Sequence, residues 1–312
     1  MTTLPGSTLE IFPLNLGGNP FGRTADEATT HAILDAFVAA GGNFVDTADS
    51  YSAWVDGHEG GESETLIGSW LAGRGRRDDV LIATKVAKHP GRPGLAHDNI
   101  VAALDDSLAR LQTDHIDLYY GHFDDEDVAV EDQAQTFHSL VEAGKVRAVG
   151  LSNYSPERLR AWCEFSDREG LTVPAALQPR YHLLARETYE RDYAPIAADF
   201  GMAVFCYPAL ASGFLTGKYR NEADFEGVAR GSAAKRYADA GGLRVVDALV
   251  EVAERHGVEP ATVALAWVLA KGVTAPIASV SKPEQLPSLM AAAGLALSAE
   301  DVAQLDEASA GF

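Results

Sequence analysis

The sequence predicts an α/β chain folded as a closed (β/α)8 barrel, and three observations carry that expectation. Strand-like and helix-like segments alternate along nearly the whole chain at the spacing of single βα units, which argues for a parallel sheet with helices outside it. The strand-like runs are short and almost wholly apolar, as strands covered on both faces are. Roughly eight such units are present, which favours closure over an open doubly wound sheet. Gly17-Gly18 and Gly22 do not fit G-x-G-x-x-G, and no such motif opens an early helix.

In chain order, residues 9–16 hold short strands and end in Gly17-Gly18-Asn19-Pro20. A helix over 24–40, capped by Asp26 or Thr24, buries Ile33, Leu34, Phe37 and Val38 and stops at Gly41. Phe44 and Val45 form a strand; Asp46 stands where it ends, and Tyr51 lies in the loop that follows. A helix from Ser63 turns Leu66, Ile67, Trp70 and Leu71 inward and leads to a strand over 80–85. The alternation then gives a helix near Asp98, a strand over 116–122, an acidic loop at 124–127, a helix over 133–143 and a strand over 146–151. Ser155-Pro156 starts the next helix, with the cap before a proline at the first position. Strands over 175–178 and 202–207 flank a helix over 189–200, and a long loop over 211–241 interrupts the rhythm. Helices over 243–256 and 260–270, a strand over 273–277, and helices over 284–293 and 299–308 close the chain.

No repeat, low-complexity tract or linker divides the 312 residues, so 1–312 are expected to form a single domain. The formal net charge of −20 argues against nucleic acid and anionic membranes as partners, yet leaves room for a small anionic ligand in a local basic pocket. Cys163 and Cys206 make no CxxC pair, and His58-Glu59-Gly60-Gly61-Glu62 lacks the second histidine of HExxH, so neither disulfide nor metal is expected. The carboxylates of the acidic loop are expected to be solvated. With no bilayer-length apolar run and no signal-peptide pattern, a cytoplasmic, reducing setting is the expectation.

Asp46, Lys85 and His122 all end strand-like runs. In a parallel barrel the C-terminal strand ends share one face, where active sites sit, so the three are expected at one mouth with Tyr51 reaching it from its loop. Each alone has an ordinary explanation as a cap, a solvated strand end, a core histidine or a loop anchor; four at the right ends of their units exceed coincidence. Together they have a chemistry. A phenol is a poor acid at neutral pH, with an ordinary pKa of about 10. A neighbouring ammonium lowers that value, and a carboxylate keeps the ammonium charged and placed. Tyr51 and His122 can then polarise a carbonyl, with Tyr51 delivering the proton. None of the four donates hydride, so a cofactor must bring it. Lys85 is the one good nucleophile toward carbon among them, which keeps a Schiff-base lyase as an alternative.

Asp46-Thr47-Ala48-(x2)-Tyr51, the Thr84-Lys85 strand end, Ile116-Asp117-Leu118-Tyr119-(x2)-His122, Gly150-Leu151-Ser152-Asn153-Tyr154 and the run from Leu210 to Tyr219 together resemble an aldo-keto reductase, in order and over nearly the whole chain. The resemblance is closer to the longer bacterial members and the potassium-channel β-subunit branch than to the human steroid reductases. It implies a TIM barrel that reduces a small-molecule aldehyde or ketone with NADPH, with Asp46, Tyr51, Lys85 and His122 as catalytic tetrad. The channel branch leaves an NADPH-binding regulatory subunit of slow turnover as a further alternative.

The same resemblance implies cofactor contacts. Ser152, Asn153 and Gln178 would meet the nicotinamide carboxamide beside Asp46, and Tyr207 would stack on the ring. Pro208, Ala209, Leu210, Ser212, Gly213 and Lys218 would cover the pyrophosphate, with Arg230 as a further anion contact. Gly17, Gly18 and Asn19 would approach the cofactor closely. Ser279, Ser281, Lys282 and Gln285, ahead of a helix N-terminus, read as a 2′-phosphate site that favours NADPH over NADH. Pro208 stands where the family usually has Ser, Leu289 where many members have Asn, and Ala278 or Ser279 where the last strand usually ends in Gly. Trp54, Phe21, Phe123, His89 and Phe214 are candidate walls of a substrate pocket.

Overall fold

The computed structural model describes residues 1–228 and 231–312. Eight parallel strands form the barrel: β1 (Asn15–Gly17), β2 (Phe44–Asp46), β3 (Leu81–Val86), β4 (Leu118–Gly121), β5 (Val149–Ser152), β6 (Ala176–Gln178), β7 (Ala203–Val204) and β8 (Ile277–Ala278). Each strand pairs with the next from β1 to β7, and β8 pairs with β1. The last seam is closed by Thr274 N donating to Val204 O at 3.0 Å and Ile277 N to Cys206 O at 2.9 Å. Around the strands lie α1 (Glu27–Ala39), α2 (Glu62–Arg74), α3 (His97–Leu111), α4 (Val130–Glu142), α5 (Pro156–Glu169), α6 (Ala194–Asp199), α7 (Gly231–Asp239), α8 (Leu243–His256), α9 (Pro260–Ala270), α10 (Leu286–Met290) and α11 (Ala299–Ala308).

Alternate strand positions separate into two clusters, and that separation positions the site. Phe44, Leu81, Ala83, Leu118, Tyr120, Ala176 and Phe205 fill the barrel interior, plugged from below by Leu4 and Ile11 of the N-terminal hairpin. Val45, Ile82, Tyr119, Val149, Leu177 and Val204 pack outward beneath the helices. Because successive side chains alternate between faces, the interior parity continues upward. Asp46 follows Phe44 by two, Lys85 follows Ala83, His122 follows Tyr120, Gln178 follows Ala176 and Tyr207 follows Phe205. The alternation that fills the interior with apolar groups thus aims these five polar ones at the C-terminal mouth. Gly150 belongs to the same layer: a Cβ there would lie 2.4 Å from the Tyr120 ring.

Several local expectations change. Asp26 caps α1, accepting from Thr29 N at 2.9 Å, and Thr24 does not. The expected loop over 211–241 contains α7 and short 3-10 turns at Ala211–Thr216 and Glu222–Phe225. Of α7 only Gly231 and Ala234 are buried, so the segment carries no apolar stripe for a periodicity to reveal. The helix expected over 189–200 opens as a wide π turn at Tyr189–Tyr193; Pro195, with no N–H to donate, sits at the junction with α6. That expected over 284–293 is broken into a 3-10 turn at Pro283–Gln285, the short α10, and a second 3-10 turn at Ala291–Gly294. A two-stranded hairpin, Lys88–His89 with Arg92–Pro93, extends from the end of β3. Cys163 and Cys206 are free and buried. Among the described residues, no helix is long and apolar enough to cross a membrane.

Truncating an interior apolar group leaves a cavity that the closed sheet cannot collapse to fill. Phe44→Ala, Leu81→Ala and Leu118→Ala should each lower unfolding free energy by about 2–5 kcal/mol. Phe44→Ala should be the most damaging, because its ring also packs edge-on against Phe205 at 5.1 Å. Urea denaturation midpoints measure this, and wild-type midpoints for all three would contradict the interior assignment.

Candidate active site

The registers Val45↔Ile82 and Asp46↔Ala83 bring the ends of β2 and β3 side by side. Lys85 and Asp46 are both without solvent exposure, and Lys85 Nζ donates to Asp46 Oδ1 at 2.5 Å. The same ammonium donates to Thr47 O at 2.7 Å and to Tyr51 Oη at 3.0 Å. Tyr51 Oη lies 3.4 Å from Asp46 Oδ1, and Gln178 Nε2 donates to Asp46 Oδ2 at 2.9 Å. The His122 ring stands edge-to-face to Tyr51 with centroids 6.2 Å apart, and its Nδ1 is buried with no hydrogen-bond partner. Asp46, Lys85 and His122 from strand ends and Tyr51 from its loop therefore do converge, and Gln178 joins them by tying the second carboxylate oxygen.

The charge states follow from this packing. Burial pushes His122 well below the ordinary imidazole value, and the positive charges of Lys85 and Lys88 add to the shift, so the ring is neutral at pH 7. Burial also lowers Lys85 from its ordinary value, against the opposing pull of Asp46. Burial, followed by the charge and hydrogen bond of Asp46, holds the Tyr51 phenol well above its usual range. Where Lys85 is expected to acidify this phenol, desolvation and the nearby carboxylate raise it instead.

Two cavities meet at the mouth. One, of about 520 Å³, is lined by Asn19, Asp46, Tyr51, His122, Asn153, Gln178 and Tyr207, with Ser50, Ala53, Trp54, Lys88, Pro90, Phe123 and Ile277 completing its wall. The other, also about 520 Å³, is a groove lined by Pro208, Ala209, Leu210, Ser212, Gly213, Lys218, Ser279, Ser281 and Gln285 among others. Ile277 lines both, so one long ligand can run from the groove into the mouth. Across their junction Tyr207 Oη donates to Asn153 Oδ1, and Asn153 Nδ2 donates to His122 O at 2.8 Å.

The profile of the aldo/keto reductase family matches residues 13–310. The chain belongs to that family. It is 33% identical to Protein tas of Escherichia coli, a match covering 97% of this chain and 95% of that protein. Norsolorinic acid reductase stcV of Emericella nidulans is 33% identical over 97% of this chain and 79% of its own length. Aldo-keto reductase YhdN of Bacillus subtilis is 31% identical over 96% and 89%. Membership makes the chain an oxidoreductase by class, in a family that generally uses nicotinamide cofactors and small carbonyl substrates.

Not every residue singled out in the sequence reaches the cavities of this aldo/keto reductase. Ser152 Oγ donates to Gln178 O at 2.9 Å and accepts from Asn153 Nδ2 at 2.9 Å, behind the wall. Gly18 lies under the site, its N–H on Asp46 O at 2.7 Å. Lys282 is exposed and outside the groove lining, whereas Glu259 and Glu284 are in it. Gln285 Oε1 already accepts from Ser281 N at 2.9 Å, and Arg230 falls outside the described residues. Of the candidate walls, Trp54 and Phe123 line the pocket; Phe21 and Phe214 are buried core, and His89 stays in the hairpin away from the lining. The acidic loop is partly tied down: Asp124 takes both an Nε and an Nη2 bond from Arg158, and Asp125 Oδ2 accepts from Leu95 N at 2.7 Å.

Asp49 was not singled out, because only the fold shows that it is buried. Its carboxyl has no hydrogen-bond partner on either oxygen and lies behind Lys85, whose carbonyl accepts from Asp49 N at 3.2 Å. Burial and the neighbouring Glu64 push its pKa up to about 8, against the pull of Arg110 and Lys85. The folded state thus keeps this proton where the unfolded chain, at about 4, has lost it, so rising pH removes stability between those values. Asp49→Asn should gain stability relative to wild type across that window, by up to about 1.4 kcal/mol per pH unit. Thermal unfolding at pH 5 and pH 8 measures the difference; one that does not grow with pH would contradict it.

Proposed function

We propose that the chain reduces aldehydes or ketones with NADPH, that Tyr51 is the general acid, and that residues 1–312 work as one catalytic domain. The observation that carries this reading is the convergence of Lys85 Nζ on Asp46, Thr47 O and Tyr51 Oη directly beneath a cavity that Tyr51 and His122 both face. NADPH would supply the hydride. Asn153 and Gln178 would hold its carboxamide, Tyr207 its ring, and the groove from Pro208 to Lys218 its pyrophosphate. Ser279 and Ser281 would stand toward its far end.

Tyr51 carries its proton at neutral pH, as an acid must, and gives it up to the carbonyl oxygen. Phenolate charge that develops as the proton leaves falls 3.0 Å from the Lys85 ammonium, where it is stabilised. Neutral His122 orients the carbonyl oxygen as a hydrogen-bond donor without competing as an acid. Asp46 keeps Lys85 charged in a position where burial alone would favour the free amine. The Schiff-base alternative is weaker: Lys85 is wholly buried and its Nζ is engaged by three acceptors, so no lone pair faces the cavity.

Single-turnover reduction of a reactive aldehyde with NADPH saturating tests the acid. Tyr51→Phe keeps the ring and should slow hydride transfer by about 10²–10⁴-fold. NADPH affinity should change little, and a near-wild-type rate would overturn the mechanism. The cofactor preference is tested by dissociation constants. NADPH should bind more tightly than NADH, with each hydrogen bond from Ser279 or Ser281 to the 2′-phosphate contributing about 1.5–3 kcal/mol. Equal constants, or tighter NADH, would give the groove carboxylates Glu259 and Glu284 the upper hand.

A further inference from the structure

We infer that Lys88 makes the mouth selective for carbonyl compounds that carry a carboxylate about one aromatic ring away from the reacting group. The inference rests on the carbonyl-reductase reading and names its substrate class.

Lys88 is the one cation among the described residues lining the cavity. Its ammonium stands 4.2 Å from the centre of the Phe123 ring, and that ring packs against His122 at 5.3 Å. A single ring therefore borders both the place where the carbonyl oxygen would be held and the charge. No ion pair joins Lys88 to a carboxylate among the described residues. The acids around the mouth are committed elsewhere: Asp46 to Lys85 and Gln178, Asp124 to Arg158, and Asp125 to Leu95 N. In a chain of net charge −20, a cation with no carboxylate partner among the described residues, at the rim of a cavity, is a local reversal of the field.

The backbone is built to put it there. Ala87, directly after β3, is buried with φ of +107°, in the region that L-residues rarely adopt. The hairpin of Lys88–His89 with Arg92–Pro93 then fixes the chain direction. Lys88 does not line the groove beside β7 and β8, so the phosphates of a dinucleotide there are not its partners. Trp54, Ala53, Pro90, Phe123 and Ile277 supply flat apolar walls between the ends. The matching ligand is an aromatic or similarly flat aldehyde acid.

The probes are 4-carboxybenzaldehyde and its neutral methyl ester, which share ring and carbonyl. Wild type should favour the acid in kcat/KM by about tenfold, mostly through KM, with the preference shrinking as salt rises. Lys88→Met should bring the acid-to-ester ratio to about one, and Lys88→Glu should invert it. Terephthalate, which has no reducible carbonyl, should bind wild type by calorimetry and not bind Lys88→Glu. If both aldehydes are reduced but the ratio is unmoved by either substitution, the inference is overturned and the reductase reading stands. If neither is reduced while terephthalate binds through Lys88, the reductase reading fails and the carboxylate site stands.

Discussion

A lysine ammonium with no solvent exposure sits at the top of the barrel, and the mouth is arranged around keeping it charged. An unpaired buried ammonium would cost several kcal/mol, so Lys85 is tolerated only with Asp46 at 2.5 Å and Thr47 O at 2.7 Å. Asp46 in turn needs its other oxygen satisfied, and Gln178 on β6 reaches across the barrel to do so. Three strands must therefore hold their register together. A one-residue slip of β2 would turn Asp46 outward among the helices and leave Lys85 alone.

Backbone strain gathers around the same rim. Of the six non-glycine residues with positive φ among the described residues, Gln112 ends α3; the others are Ser52, Ala87, Asn153, Ala211 and Ser212. Ser52 follows Tyr51, Ala87 precedes Lys88, Asn153 lies between the pocket and His122 O, and Ala211 and Ser212 turn the chain along the groove. Such conformations cost about 1–3 kcal/mol each and persist where the surroundings over-determine them. Here the surroundings are a stiff, fully paired barrel, so the loops can hold unfavourable backbone without unfolding it. Close approach adds to this at Gly17, where a Cβ would fall 2.5 Å from Ser279 Oγ.

Asp49 and Lys88 show how the two sides of β3 serve different ends. Asp49 lies in the layer between barrel and helices, near Glu64 and Arg110, and is held neutral by burial. Lys88 lies on the open side, exposed, with its ammonium over the Phe123 ring. The chemistry of the mouth depends on the difference. A charge admitted from the buried layer would bias Lys85, whereas one at the rim acts on whatever enters.

The sequence by itself determined the barrel and brought four candidate side chains to one mouth, because apolar runs alternate with helices and Asp46, Lys85 and His122 end such runs while Tyr51 lies in the loop after one. Apolar interior positions such as Phe44, Ala83 and Tyr120 set the parity, and Asp46, Lys85 and His122 continue it to the strand ends. Ser155-Pro156 and the stripe of the 243–256 helix were equally legible as local signals, and the 260–270 helix, buried on every side from Ala261 to Val268, showed as an apolar run opened by Pro260. α7 was not, because it buries almost nothing, nor was the division of the 284–293 segment, where Pro287 opens a short helix of its own. Tertiary structure alone decided the rest. Only burial in the folded chain, with Asp46 brought beside it, sets the Tyr51 phenol above its usual range rather than below it. Only the turn at Ala87 brings Lys88 to the pocket, and only packing leaves Asp49 without a partner, because neither contact is local in the chain.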